Sequence, residues 1–114
     1  MRNIENIKLK KSDRIAVQEA GNILRERFPV EKIILFGSKT RGDDDLESDI
    51  DLLVLTSRSL SWRERKAITY ALFDVEIKYD VVISVLITST KEWSEGPFSV
   101  LPIYDEILQY GAVA

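Results

Sequence analysis

Hydrophobic positions along the chain alternate between two periods, and the switches between them mark the elements. Val17, Ala20, Leu24 and Phe28 recur at helical spacing, which predicts a first helix capped by Ser12, running to about Phe28 and ended by Pro29. Lys32 to Phe36 is a short apolar run with two isoleucines and reads as a strand that Gly37-Ser38 breaks. Ile50 to Leu55 reads as a second strand. Ser61 and Glu64 form a capping-box pattern opening a second long helix, whose buried stripe is Ile68, Leu72 and Val75. Asp80 to Ile87 is a β-branched third strand. Ser89 and Glu92 repeat the capping pattern over a short helical turn. A last amphipathic helix follows Pro97, carries Tyr104, Ile107 and Leu108, and stops at Gly111.

The order is therefore α-β-β-α-β-α. Only 13 residues, Gly37 to Asp49, separate the first two strands. A parallel crossover needs about a dozen residues or more with a full helix, so a mixed or antiparallel pairing has at least an equal claim. The predicted class is α/β or α+β: a small β-sheet with helices over it. With 114 residues, the chain suits one compact domain spanning 1–114. No repeat, linker or low-complexity tract interrupts it.

Composition narrows the chemistry. The chain contains neither cysteine nor histidine. This excludes a disulfide framework, a thiolate nucleophile and a serine–histidine–aspartate triad, and leaves only an all-carboxylate site for zinc. Carboxylates, lysines, arginines, hydroxyls and hard cations remain. The net charge of −3 argues against nucleic acid as the main partner. The longest apolar runs, Ile33 to Phe36 and Leu52 to Leu55, fall far short of the roughly 20 residues a membrane span needs. The polar, basic stretch from Met1 to Lys11 has no signal-peptide core, so a cytoplasmic location is expected.

The informative segment runs from Gly37 to Asp51. Gly37 lets backbone approach a ligand, and Ser38 offers a hydroxyl and an N–H where a helical turn begins, a place suited to phosphate. It is not a Walker loop, because Ile33 stands where the first glycine belongs. Asp49 and Asp51 lie two apart at the start of a strand, so both carboxylates share one face while Ile50 turns to the core. Two adjacent carboxylates repel unless a cation lies between them. Magnesium accepts one or two carboxylates together with substrate phosphates. A pair of such ions stabilises the attacking and leaving oxygens of an in-line displacement. A third carboxylate is then expected on a neighbouring strand, and Asp80 is the best candidate. Taken singly, a Gly-Ser is usually a turn, and an Asp-x-Asp is usually solvated or capping. The acidic run from Asp43 to Asp51 lacks the spacing of a calcium loop. The two features reinforce each other because one ligand would satisfy both.

Gly37-Ser38, Arg41-Gly42 and Ser48-Asp49-Ile50-Asp51 resemble the signature of the polymerase-beta-like nucleotidyltransferases, and among these the minimal nucleotidyltransferases. The resemblance implies a mixed sheet with flanking helices and three metal-binding carboxylates, which fall on Asp49, Asp51 and Asp80. Gly37 and Ser38 would hold the triphosphate of ATP. Arg41 would contact phosphate or, with slightly more claim, brace the acidic loop. Lys39 and Thr40 would be solvated. The two magnesium ions and ATP are the implied cofactor and substrate. Minimal nucleotidyltransferases typically pair with HEPN-family proteins, often ribonuclease toxins, and act as their antitoxins. The resemblance thus implies transfer of AMP to a hydroxyl, foremost a tyrosine, of such a partner. Asp80 would serve as general base or metal-bound activator. The chain has no evident room for a second, acceptor-holding domain, so a partner protein or dimerisation would complete the site. Two other readings stay open: a nucleotide-binding antitoxin without chemistry, and an enzyme acting on a small-molecule hydroxyl. Trp62 and Trp93 are expected to pack. The four tyrosines form no base-stacking platform.

Overall fold

The computed structural model describes residues 1–42 and 49–114. Its main strands are β2 (Val30–Phe36), β3 (Ile50–Thr56) and β4 (Ile83–Ser89), with two-residue strands β1 (Arg2–Asn3) and β5 (Ala112–Val113) at one side. They form a five-stranded sheet in the order β1-β5-β2-β3-β4. β2 runs antiparallel to β3 and β5, whereas β3 and β4 are parallel. The sheet is mixed. The helices are α1 (Lys11–Arg27), the single turn α2 (Ser38–Arg41), α3 (Trp62–Tyr79), α4 (Thr90–Glu95) and α5 (Pro102–Tyr110), with 3-10 turns at Ile4–Asn6 and Pro97–Val100.

Helices cover both faces. Val17, Ala20 and Leu24 of α1 and Ile68, Leu72 and Val75 of α3 pack on Ile33, Leu35, Ile50, Leu52 and Val54. On the other face, Trp93 of α4 and Ile107 of α5 close over Ile34, Leu53 and Leu55. This double covering explains the unbroken apolar run from Leu52 to Leu55 in β3: side chains on both sides of a central strand are buried. Each fully buried leucine or isoleucine contributes about 1.5–3 kcal/mol relative to exposure.

Three expectations shift. The first helix starts at Lys11 with Lys10 at its N-cap and no side-chain cap, so Ser12 lies inside the first turn rather than capping it. The third strand starts at Ile83 rather than Asp80, because α3 extends through Tyr79. Asp80 then closes the helix in the left-handed region (φ 51, ψ 53), which aspartate tolerates better than most residues. Trp62 does not pack. It is 70% exposed, with the Lys66 ammonium 5.0 Å from its ring. Trp93 is buried as expected, tilted against Phe98 and Tyr104.

Candidate active site

The antiparallel pairing of β2 and β3 ends at the rung Phe36–Asp51. The chain leaves β2 at Gly37 and returns to β3 through Asp49, so the two halves of the motif meet at one edge. Gly37 adopts φ 81 and ψ −157, a conformation that disfavours any residue with a Cβ. A Cβ there would also overlap the Asp51 carboxylate. The turn then winds into α2, with Thr40 Oγ1 donating to the Gly37 carbonyl at 2.8 Å. Gly42, at φ 78, ends it.

Strand parity places Asp51 on the sheet face that carries Leu53 and Leu55, and Ile50 in the opposite core cluster. Asp49 is exposed and Asp51 half-buried. Burial, with the charge of Asp49 next, pushes the Asp51 carboxyl above the usual range, against the opposing pull of Arg41. A half-buried carboxylate facing a second one is the donor chemistry that a hard divalent cation relieves. The residues present therefore fit magnesium at Asp49 and Asp51.

The third position differs from expectation. The β3–β4 register sets Ser84 opposite Asp51, and the Ser84 hydroxyl reaches Asp49 Oδ2 at 3.4 Å. Asp80 lies four residues earlier, at the end of α3, exposed and before the strand. Among the described residues, no group of three carboxylates converges on one metal position. Asp80 therefore does not join Asp49 and Asp51 here, because the strand it was expected to open begins three residues later.

Arg41 forms an ion pair with Glu106 of α5, tying the turn to the last helix. The acidic segment it was expected to brace, residues 43–48, lies outside the described residues. Lys39 is not solvated. Its ammonium is buried and meets buried Asp13 of α1 at 2.9 Å. Thr40 is buried as well. Sequence reading missed Asp13, although a signal existed: it shares the helical face of Val17, Ala20 and Leu24, where a carboxylate needs a partner. It also missed Arg2, whose guanidinium donates to the carbonyls of Thr40 (2.8 Å) and Tyr110 and clamps α2 to α5. A two-residue strand leaves no periodic trace from which to place Arg2.

The Gly37 corner thus abuts the Asp51 carboxylate of β3, with Asp49 just before the strand. The profile of the nucleotidyltransferase domain matches residues 17–110, and the chain belongs to that family. Its relatives include "Putative protein adenylyltransferase MJ0141" of Methanocaldococcus jannaschii, 37% identical over 70 residues, which are 61% of this chain and 69% of that protein. Solved structures share the fold. One, described as a toxin-antitoxin with AMP-PNP, superposes with a TM-score of 0.57 at 18% identity, over 91% of this chain and 72% of the other. Another is a chain from a complex of a tri-AMPylated Shewanella oneidensis HEPN toxin with an MNT antitoxin. Its TM-score is 0.55 at 18% identity, over 88% of this chain and 69% of the other.

Proposed function

We propose that this nucleotidyltransferase transfers AMP from ATP, with magnesium, to a side-chain hydroxyl of a HEPN-type protein partner, foremost a tyrosine, and thereby acts as its antitoxin. The observation that carries the reading is the junction at the Phe36–Asp51 rung, where the Gly37-Ser38 corner meets the Asp49–Asp51 pair. The acceptor class is supported by the protein-adenylyltransferase name of the relative and by the AMPylated HEPN toxin in the structural neighbour.

In this mechanism Gly37 and Ser38 hold the triphosphate, Ser84 orients Asp49, and Arg41, itself steadied by Glu106, offsets charge at Asp51. Magnesium bound by Asp49 and Asp51 would neutralise charge on the carboxylates and phosphates. The acceptor oxygen attacks the α-phosphorus and gives its proton to solvent water, while the bond to pyrophosphate breaks and pyrophosphate leaves. The acidic balance of the chain, −3, favours a protein acceptor with a basic face over a polynucleotide.

Intact mass spectrometry of the HEPN-type partner after incubation with this chain, ATP and magnesium tests the proposal. The wild type is expected to add one or more adenylyl groups. Asp49→Asn or Asp51→Asn is expected to lower the rate by about a hundredfold or more while leaving the fold intact. A partner that is silenced by stoichiometric binding yet gains no mass would replace transfer with inhibition by binding alone.

A further inference from the structure

An in-line displacement fixes the side from which the acceptor must come. The acceptor oxygen bonds to the α-phosphorus opposite the oxygen of the departing pyrophosphate. With the triphosphate held at the Gly37-Ser38 corner, which ends β2, pyrophosphate leaves on the β2 side of the Asp49–Asp51 pair. β3 carries that pair and lies between β2 and β4. The acceptor therefore enters over β4, where Ser84 stands opposite Asp51 and reaches Asp49.

The surface bordering that entrance is apolar. The Ile50 N–H donates to the Val82 carbonyl at 2.9 Å, so Val82 stands beside the start of β3. The end of α3 is level with it: the Val81 N–H donates to the Glu76 carbonyl and the Ile83 N–H to the Glu76 carboxylate, both at 3.1 Å. Ile77 follows Glu76, and Phe73 stands one turn earlier on the same side of α3. Phe73, Ile77 and Val82 are 48%, 77% and 56% exposed. Large apolar side chains left in water side by side mark a surface that another protein covers. Main-chain pairing is closed to that protein, because Glu76 and Arg65 already occupy the outer edge of β4 at Ile83 and Ile87. The contact must be made by side chains. Asp80, between Ile77 and Val82, is exposed and forms no ion pair among the described residues. The neighbouring Lys78 is paired with Glu19, so Asp80 and exposed Asp49 set the sign of charge at the entrance.

We infer that the HEPN-type acceptor protein docks across the start of β4, with apolar side chains against Phe73, Ile77 and Val82 and a basic side chain at Asp80. This docking rests on the transfer reading above and adds the place where its acceptor binds. The carboxylates of Asp80 and Asp49 suit the basic face of such an acceptor and steer its approach. Asp80 thus acts in recognition, outside the metal pair. α5, tied to the corner through Glu106 and Arg41, lies on the triphosphate side, and its exposed Leu108 stays outside the contact.

Titration calorimetry of the full chain with the HEPN-type partner, beside mass spectrometry of the same mixture with ATP and magnesium, tests the surface. Ile77→Glu and Val82→Glu are expected to weaken partner binding by about tenfold or more, with circular dichroism and ATP affinity unchanged. Their mass gain should fall at limiting partner and recover at saturating partner, which separates docking from chemistry. Asp80→Asn is expected to weaken binding at low ionic strength and to match the wild type in high salt. Leu108→Glu is expected to bind and transfer as the wild type does. Transfer by the wild type with binding indifferent to Ile77→Glu and Val82→Glu overturns the inference and leaves the transfer reading standing. A partner held through these residues that gains no mass defeats the transfer reading and keeps the docking surface. A wild type that binds no such partner, or that sediments as a dimer held through Phe73, Ile77 and Val82, overturns the inference.

Discussion

Gly37 places the chemistry of this site by what it lacks. With φ 81 and the Asp51 carboxylate against its Cα, it leaves no space for a methyl group. Gly37→Ala must either strain the backbone, at about 1–3 kcal/mol, or displace Asp51. The expected result is a lowered urea midpoint together with loss of adenylyl transfer; full activity in the alanine variant would contradict the close packing. That Gly37 turns the chain out of β2, and that Asp51 faces away from the Ile50 core, was legible in the sequence because both depend on local turn geometry and strand parity. The third position was not. Whether Asp80 or Ser84 stands beside Asp51 depends on where α3 ends and on a register between strands separated by a whole helix. Neither is written in spacing alone. The ion pair of Lys39 was hidden for the same reason, since Asp13 is distant in sequence.

Among the elements, α3 shows how far local signals reach. Ser61 accepts from the Glu64 N–H and Glu64 accepts from the Ser61 N–H, the reciprocal cap that the sequence announced. Ser61→Ala is expected to cost about 1 kcal/mol in denaturant unfolding. The Glu64 carboxyl is lowered from 4.5 to about 2, first by the hydrogen bond from Arg58 and then by the Ser61 backbone. A depressed folded value means a contribution present above about 4.5 and lost as pH falls towards 2. The melting difference between wild type and Glu64→Gln is therefore expected at neutral pH and should vanish near pH 2; a difference independent of pH would remove the carboxylate from the cap. Long periodic elements such as α1, α3 and the three main strands were legible. β1 and β5 were not, because two residues cannot display a period. Trp62 was misjudged because its place in a first turn says nothing about which side of the helix meets the sheet.

At the scale of the molecule, the buried pair of Asp13 and Lys39 joins α1 to the turn that follows Gly37. Asp13→Ala removes the buried charged hydrogen bond that ties α1 to this turn and is expected to cost about 1.5–3 kcal/mol in chemical denaturation. A loss below about 1 kcal/mol would show that the pair is solvated in solution. The same bond makes the glycine corner hostage to a helix on the opposite face of the sheet. Opening fluctuations that lift α1 should release the corner while β3 and β4 stay paired. Amide exchange in α1 and the decay of catalysis on warming should then proceed together, ahead of the melting of the sheet.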